Sequence, residues 1–218
     1  MSMQYILGGK MIDNYGIASM NLVAVLENIE NVNVEEPHFK VGTDLAITYR
    51  LRLDPDVVPN SFLKVTWSMV NHWEKLGYYV GDLLNDAMEA MEWDYPVMIQ
   101  TLPDIMSNIF GVNTELNNKV LVVTTESMVR GAIALFYENT IDKLAKELET
   151  NELIIIPSSI HEVLVMPRKG VDVDAINSII HNINETTVAP NERLSNHCYI
   201  AECFGSGSGY VFYSVEGR

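Results

Sequence analysis

Cysteine is scarce: the 218-residue chain has two, Cys198 and Cys203. Both fall in the segment CYIAECF, which reads as one strand. Five residues at about 3.3 Å each separate their Cα atoms by roughly 16 Å, well beyond the ~7 Å reach of a disulfide. A disulfide framework is therefore excluded and a reduced chain is expected. Long apolar runs are missing too. No stretch approaches the roughly 18 apolar residues of a membrane span, and residues 1–9 lack the charged start and the apolar core of about 7 to 15 residues that mark a secretory signal. A cytoplasmic protein with no membrane contact is the expectation. Cations are the third deficit: 14 Lys and Arg face 29 Asp and Glu, for a formal net charge of −15. Bulk electrostatics then oppose direct binding to nucleic acid phosphates or anionic membranes.

The deficit of cations is local as well as global. Between Lys75 and Lys119 there is no Lys or Arg, while Asp82, Asp86, Glu89, Glu92, Asp94, Asp104 and Glu115 fall in the same interval. Like charges at i, i+4 cost a helix a few tenths of a kcal/mol each, so this run is either an ordinary solvated face or a surface whose partner supplies cations. Trp93 and Tyr95 follow it directly, and an aromatic group beside an acidic face suits a protein interface.

What is present is the composition of a globular chain, 48% hydrophobic and 20% charged. One domain over residues 1–218 is the simplest organisation, with residues 1–60 as the candidate for a more loosely attached N-terminal subdomain. Residues 21–29 read as a helix packing Leu22, Val25, Leu26 and Ile29. Residues 39–53 alternate and predict one strand with Lys40, Asp44, Thr48, Arg50 and Arg52 on a wet face. Residues 53–61, with two prolines, predict a loop. A helix or turn over 70–76 and a helix over 80–91 follow, the second with Leu83, Leu84, Ala87, Met88 and Met91 inward and Asp82, Asp86 and Glu89 outward. Residues 101–110 predict a short helix with Pro103 in its first turn. In the second half, 119–124 reads as a strand, 131–137 as a strand or the opening of a helix, and 140–149 as a helix. Strands over 153–157 and 163–167 flank the turn SSIHE. A helix over 173–184 is capped by Asp172 and buries Val173, Ile176, Ile179, Ile180 and Ile183. Two strands joined by GSGSG form a terminal hairpin. Strands broken by two or three helices give an α+β fold: an antiparallel or mixed sheet with helices packed on one face.

Several chemistries lack their signatures. GSGSG is followed by a strand rather than by the Gly-Lys-Ser/Thr and helix of a phosphate loop, and there is no dinucleotide fingerprint. The polar turn between two apolar strands offers Ser158 or Ser159 as a nucleophile beside His161 and Glu162. Adjacent residues diverge on a strand, so His161 and Glu162 do not chelate one ion as a pair, and the position of a second zinc-protease histidine is Val165. The plainer reading makes both serines turn caps and ties His161 to a backbone carbonyl. His197 and Cys198 diverge in the same way, and lone thiols in an apolar strand are ordinary core residues.

The segments VLVVTTESMVRGAIALFYENTIDKLAKEL, IIIPSSIHEVLVMP and INETTVAPNERLSNHCYIAE together resemble a family of uncharacterised bacterial proteins, a domain of unknown function from anaerobic Gram-positive bacteria and their mobile elements. The resemblance covers roughly residues 78–211. Pro157, Ser158, Ser159, His161 and Glu162 carry its turn, Asn184 its helix end, and Leu194, Ser195 and Tyr199 its last motif. His197 and Cys198 replace the family's more usual pair, and residues 1–60 match poorly. The resemblance implies a fold and no activity.

Two functions follow as expectations. The first is a non-catalytic acidic binding protein that engages a basic protein partner through Asp82, Asp86, Glu89, Trp93 and Tyr95, in its sharpest form a nucleic-acid-mimicking inhibitor from a mobile element, with no cofactor. The alternative is a hydrolase or metal-dependent enzyme centred on Ser158, Ser159, His161 and Glu162.

Overall fold

The structure is a computed structural model that describes residues 10–53, 61–101, 120–204 and 209–215. The fold is α+β, with two antiparallel sheets and helices packed against their strands. The first sheet holds β1 (Leu22–Asn28), β2 (His38–Val41), β3 (Leu45–Arg52) and β4 (Phe62–Lys64), with β3 paired to all three others. The second runs β10-β9-β7-β8-β6-β5 and is built from β5 (Val97–Thr101), β6 (Leu121–Thr125), β7 (Glu152–Ser159), β8 (Glu162–Pro167), β9 (Tyr199–Cys203) and β10 (Tyr210–Ser214). The helices are α1 (Tyr15–Ser19), α2 (Trp67–Lys75), α3 (Leu83–Asp94), α4 (Thr140–Glu147) and α5 (Val173–Thr186). Among the described residues no helix is long and apolar enough to cross a membrane.

One hydrophobic core draws on both sheets, with Leu22, Leu26 and Leu51 from the first and Leu153, Val165 and Tyr199 from the second. A smaller cluster lies on the other face of the second sheet, where Val173 and Ile180 of α5 meet Ile154, Cys198 and Ile200. The two free cysteines are divided between these cores, Cys198 under α5 and Cys203 in the main one. Positions five apart on an extended chain face opposite ways.

Four local expectations are corrected. The segment read as a helix over 21–29 is β1, whose residues Leu22–Leu26 are all buried; a strand covered on both faces loses the alternation that separates it from a buried helix. Residues 39–53 are a hairpin rather than one strand, broken at Gly42, whose φ of +62° opens the turn into Asp44. Thr48 and Arg50, assigned to a wet face, are buried. Arg50 donates to Glu27 Oε2 at 2.8 Å and Glu36 Oε2 at 2.9 Å, Thr48 donates to Glu27 Oε2 at 2.6 Å, and Lys64 Nζ reaches Glu36 Oε1 at 2.6 Å. Polar side chains fit inside because each charge has its counter-ion. Residues 131–137 form neither strand nor α-helix but a buried 3-10 helix, Gly131–Phe136.

Other elements match more closely. Asp172 caps α5 as expected, whereas Asp82, expected on the outward stripe, is instead the N-cap of α3, as short acidic side chains are at a helix N-terminus. On α5 the apolar stripe is wider than the surface beneath it, so Ile179 and Ile183 stay 53% and 44% exposed at the edge of a small groove. Thr101 ends β5, and the rest of the short helix expected over 101–110 lies outside the described residues, as do residues 205–208 of the terminal hairpin loop.

Candidate functional site

The SSIHE turn is tighter than its sequence indicates. Ser158 and Ser159 end β7, Glu162 begins β8, and Ile160 and His161 alone make the turn. Both seryl hydroxyls donate to Glu162 Oε1, at 2.9 and 3.0 Å, and Ser159 Oγ also accepts the His161 N–H at 3.1 Å. These hydroxyls are committed to a carboxylate on their own hairpin. His161 points elsewhere. Its Nδ1 accepts the Arg130 N–H at 3.2 Å, its carbonyl accepts from Thr124 Oγ1 at 2.7 Å, and its Nε2 lies 3.6 Å from Glu192 Oε1. An imidazole that accepts a backbone N–H at Nδ1 carries its proton on Nε2. Ser158 lines the shallow groove beside α5, whereas His161 lines a different cavity of about 500 Å³. The structure thus supplies no Ser–His hydrogen bond of the kind that activates a nucleophile.

That cavity gathers side chains that motif reading missed. Ser127 and Arg130 come from the loop after β6, His161 from the β7–β8 turn, Asn191 and Glu192 from the segment after α5, and Tyr95 from the end of α3. Val23, Phe62, Met91 and Ile160 supply apolar walls. The loop is held in an unusual shape. Met128 and Arg130 adopt φ of 53° and 54°, in the left-handed region that costs an L-residue roughly 1–2 kcal/mol. Gly131 then passes so close to β6 that a Cβ would sit 2.5 Å from Thr125 N and 2.8 Å from His161 O. The positive-φ arginine before an obligatory glycine leaves no local sequence signature, because each residue type is common by itself.

A second polar cluster joins the two sheets. Asp44, in the β2–β3 turn, accepts from Ser195 Oγ at 2.8 Å and from the Tyr199 hydroxyl, and its Oδ2 lies 3.3 Å from His197 Nε2. Burial pushes the Asp44 carboxyl up, but the hydrogen bonds from His197, Tyr199 and Ser195 outweigh it and hold its pKa below the ordinary value. Serine, histidine and aspartate all meet here, yet the buried serine donates to the aspartate instead of the imidazole. The cluster is a clamp. Asn184 extends it by donating to the Ser195 carbonyl at 2.8 Å.

The acidic residues of α3 divide by role. Asp82 is spent on the cap, with Oδ1 accepting the Asn85 N–H at 3.1 Å, and Asp86 accepts from the Tyr15 hydroxyl. Arg52 binds Asp94 and donates to the Tyr95 hydroxyl at 3.2 Å, which turns Tyr95 inward to the His161 cavity. Glu89 and Trp93 remain on the outer face. Trp93 is 87% exposed and shares a shallow concavity of about 400 Å³ with Met20, Asp86, Glu89 and Asp94. Glu89 also borders a neighbouring cleft of about 790 Å³, where Glu92 and Glu138 stand among Phe39, Met88 and Phe212. Among the described residues, no group of three or more His, Cys, Asp or Glu side chains is arranged to hold a metal ion.

No curated protein and no solved structure matches the chain. A model of a family of unknown function, DUF5688, matches residues 17–201. The span takes in β1 to β4, which the sequence resemblance had left outside, and ends within β9. It contains the clamp, the SSIHE turn and the α3 face alike. By that match over most of its length, the chain belongs to the DUF5688 family.

Proposed function

We propose that this protein is a non-catalytic binding protein whose α3 face docks a basic segment of a protein partner. The observation that carries the reading is Trp93, 87% exposed one helical turn from Glu89 and surrounded by carboxylates. A large aromatic side chain held in water at an acidic concavity has no folding role, whereas tryptophan flanked by charge is a common anchor of interfaces. Glu89, Glu92 and Glu138 continue the negative potential into the adjoining cleft, where Lys40 is the one cation among the described lining residues. Two buried free thiols fit a reducing cytoplasm.

The narrower form of the proposal is a bacterial, mobile-element-borne inhibitor whose acidic face competes with nucleic acid for a basic enzyme. The net charge of −15 supports it. Partner and DNA would then exclude one another, and a ternary complex of target, DNA and this protein rules the narrower form out.

Glu89→Lys and Trp93→Ala are the informative variants, because Asp82 and Asp86 are tied up in capping and in the Tyr15 contact. The tagged protein is used to capture partners from native host lysate with and without nuclease, and bound proteins are identified by mass spectrometry. A stoichiometric basic partner that survives nuclease, and is lost at least tenfold from both variants at unchanged melting temperature, is the expected result. A partner retained equally by both variants overturns the site.

A further inference from the structure

Arginine is used sparingly in this chain, and four of its described arginines are committed to oxygen acceptors. Arg50 is paired with Glu27 and Glu36, Arg52 with Asp94, Arg168 with the Val171 carbonyl and Arg193 with the Val188 carbonyl. Arg130 is different. Its guanidinium lies over the Phe62 ring, 5.0 Å from the centroid, and among the described residues no carboxylate or carbonyl accepts from it. An unpaired guanidinium lining a cavity in a protein with a net charge of −15 had many carboxylates available and meets none. Its backbone sits at positive φ with the Arg130 N–H donating to His161 Nδ1, a conformation that costs local strain, and its side chain lines the cavity.

We infer that the cavity between α3 and the β7–β8 turn binds a small organic monocarboxylate, with its carboxylate on the Arg130 fork and its apolar body against Val23, Phe62, Met91 and Ile160. The planar guanidinium, held over an aromatic ring, presents paired N–H donors that match a carboxylate in bidentate geometry. His161 also lines the cavity, but its Nε2 faces Glu192 Oε1 at 3.6 Å, which leaves the Arg130 fork as the anchor for the ligand carboxylate. The volume of about 500 Å³ falls within the range of roughly 300–1,000 Å³ usual for small-molecule sites. Glu192 lines the same cavity. A second negative charge on the ligand would meet that carboxylate, so a single carboxylate is favoured over a phosphate dianion.

This site is separate from the partner-binding face. Met91 and Tyr95 reach it from the inner side of α3, while Glu89 and Trp93 lie on the outer side, so either reading can fail alone.

The test is saturation-transfer NMR of the full chain with hexanoate, benzoate, 3-phenylpropionate and indole-3-acetate, each beside its amide, and with phenyl phosphate. At least one acid binds, its amide binds at least tenfold more weakly, and Arg130→Gln reduces acid binding at least tenfold. Arg130→Lys keeps the charge and the stem but not the fork. It carries the comparison if the Gln variant fails to fold, with a loss of about tenfold expected. Three results each overturn the site: no acid giving a signal that depends on Arg130, amides binding as well as acids, or phenyl phosphate binding more tightly than every acid.

Discussion

The phenol of Tyr199 donates to the carboxylate of Asp44 across 155 positions of sequence. The bond fastens the first β9 residue of the second sheet to the β2–β3 turn of the first. Gly42 lies directly against the same ring, where a Cβ would overlap Tyr199 Cε1, and the ring stacks on Phe212 with centroids 4.7 Å apart. Ser195 and His197 complete the shell around Asp44. Ser195 and Tyr199 therefore join the two sheets through Asp44.

Asp44→Asn tests that clamp. The variant keeps the shape but loses the charge that three donors face, and hydrogen bonds to a charged group contribute about 1.5–3 kcal/mol. A loss of about 2–3 kcal/mol at pH 7 is expected by denaturant titration. The pH dependence has a definite sign. Because the folded-state pKa of Asp44 is depressed, its contribution is complete above the unfolded value of about 3.9 and is lost as pH falls through the lower folded value. The gap between wild type and Asp44→Asn should be open at pH 7 and narrow progressively as pH falls below about 4 toward the depressed folded value. A gap that does not narrow at all on acidification below about pH 4 would mean that geometry rather than charge holds the turn.

The Arg50 network makes a second prediction. Arg50 and Glu36 are almost fully buried, with side-chain exposures of 7% and 4%. Arg50→Met leaves Glu27 without its counter-ion and Glu36 with only the half-exposed Lys64, and breaking a buried pair on one side costs about 3–5 kcal/mol. The melting temperature should fall by roughly 10 °C for a chain of this size. Adding Glu27→Gln and Glu36→Gln to Arg50→Met should recover most of the loss, since the penalty belongs to the unpaired charges. If the triple variant melts no higher than the single one, packing of the Arg50 stem is the larger contribution.

Sequence reading was most accurate where a local rule decides the structure. The Asp172 cap, the amphipathic face of α3 and the antiparallel terminal hairpin all follow from side chains within a few residues. It failed where distant residues decide. Arg50 and Thr48 look solvent-facing because nothing nearby in sequence reveals Glu27 and Glu36, and β1 looks helical because α3 and the 3-10 helix Gly131–Phe136 pack against it. The site followed the same division. His161 and Glu89 were legible as polar residues in unusual settings, but Arg130, Asn191 and Glu192 become neighbours only when the β6 loop, the β7–β8 turn and the segment after α5 converge.

The C-terminus of α4 carries a residue that backbone geometry disfavours. Glu149 adopts φ of 50°, its N–H donates to the Lys146 carbonyl at 3.2 Å, and the Thr150 N–H reaches back to the Ala145 carbonyl at 2.9 Å. With Leu148 as the C-cap, these two bonds are the paired 5→2 and 6→1 pattern in which glycine is preferred at the position after the cap. Glutamate there meets two penalties at once. Its Cβ is crowded in the left-handed conformation, and its carboxylate sits at the negative end of the helix dipole. Glu149→Gly removes both while adding some backbone freedom to the unfolded chain, so a net stabilisation of about 0.5–1 kcal/mol is expected. That corresponds to a rise in melting temperature of roughly 1–4 °C. Glu149→Gln separates the contributions, since it removes the charge and keeps the crowding: if it matches glycine, the dipole accounts for the gain, and if it matches wild type, the backbone does.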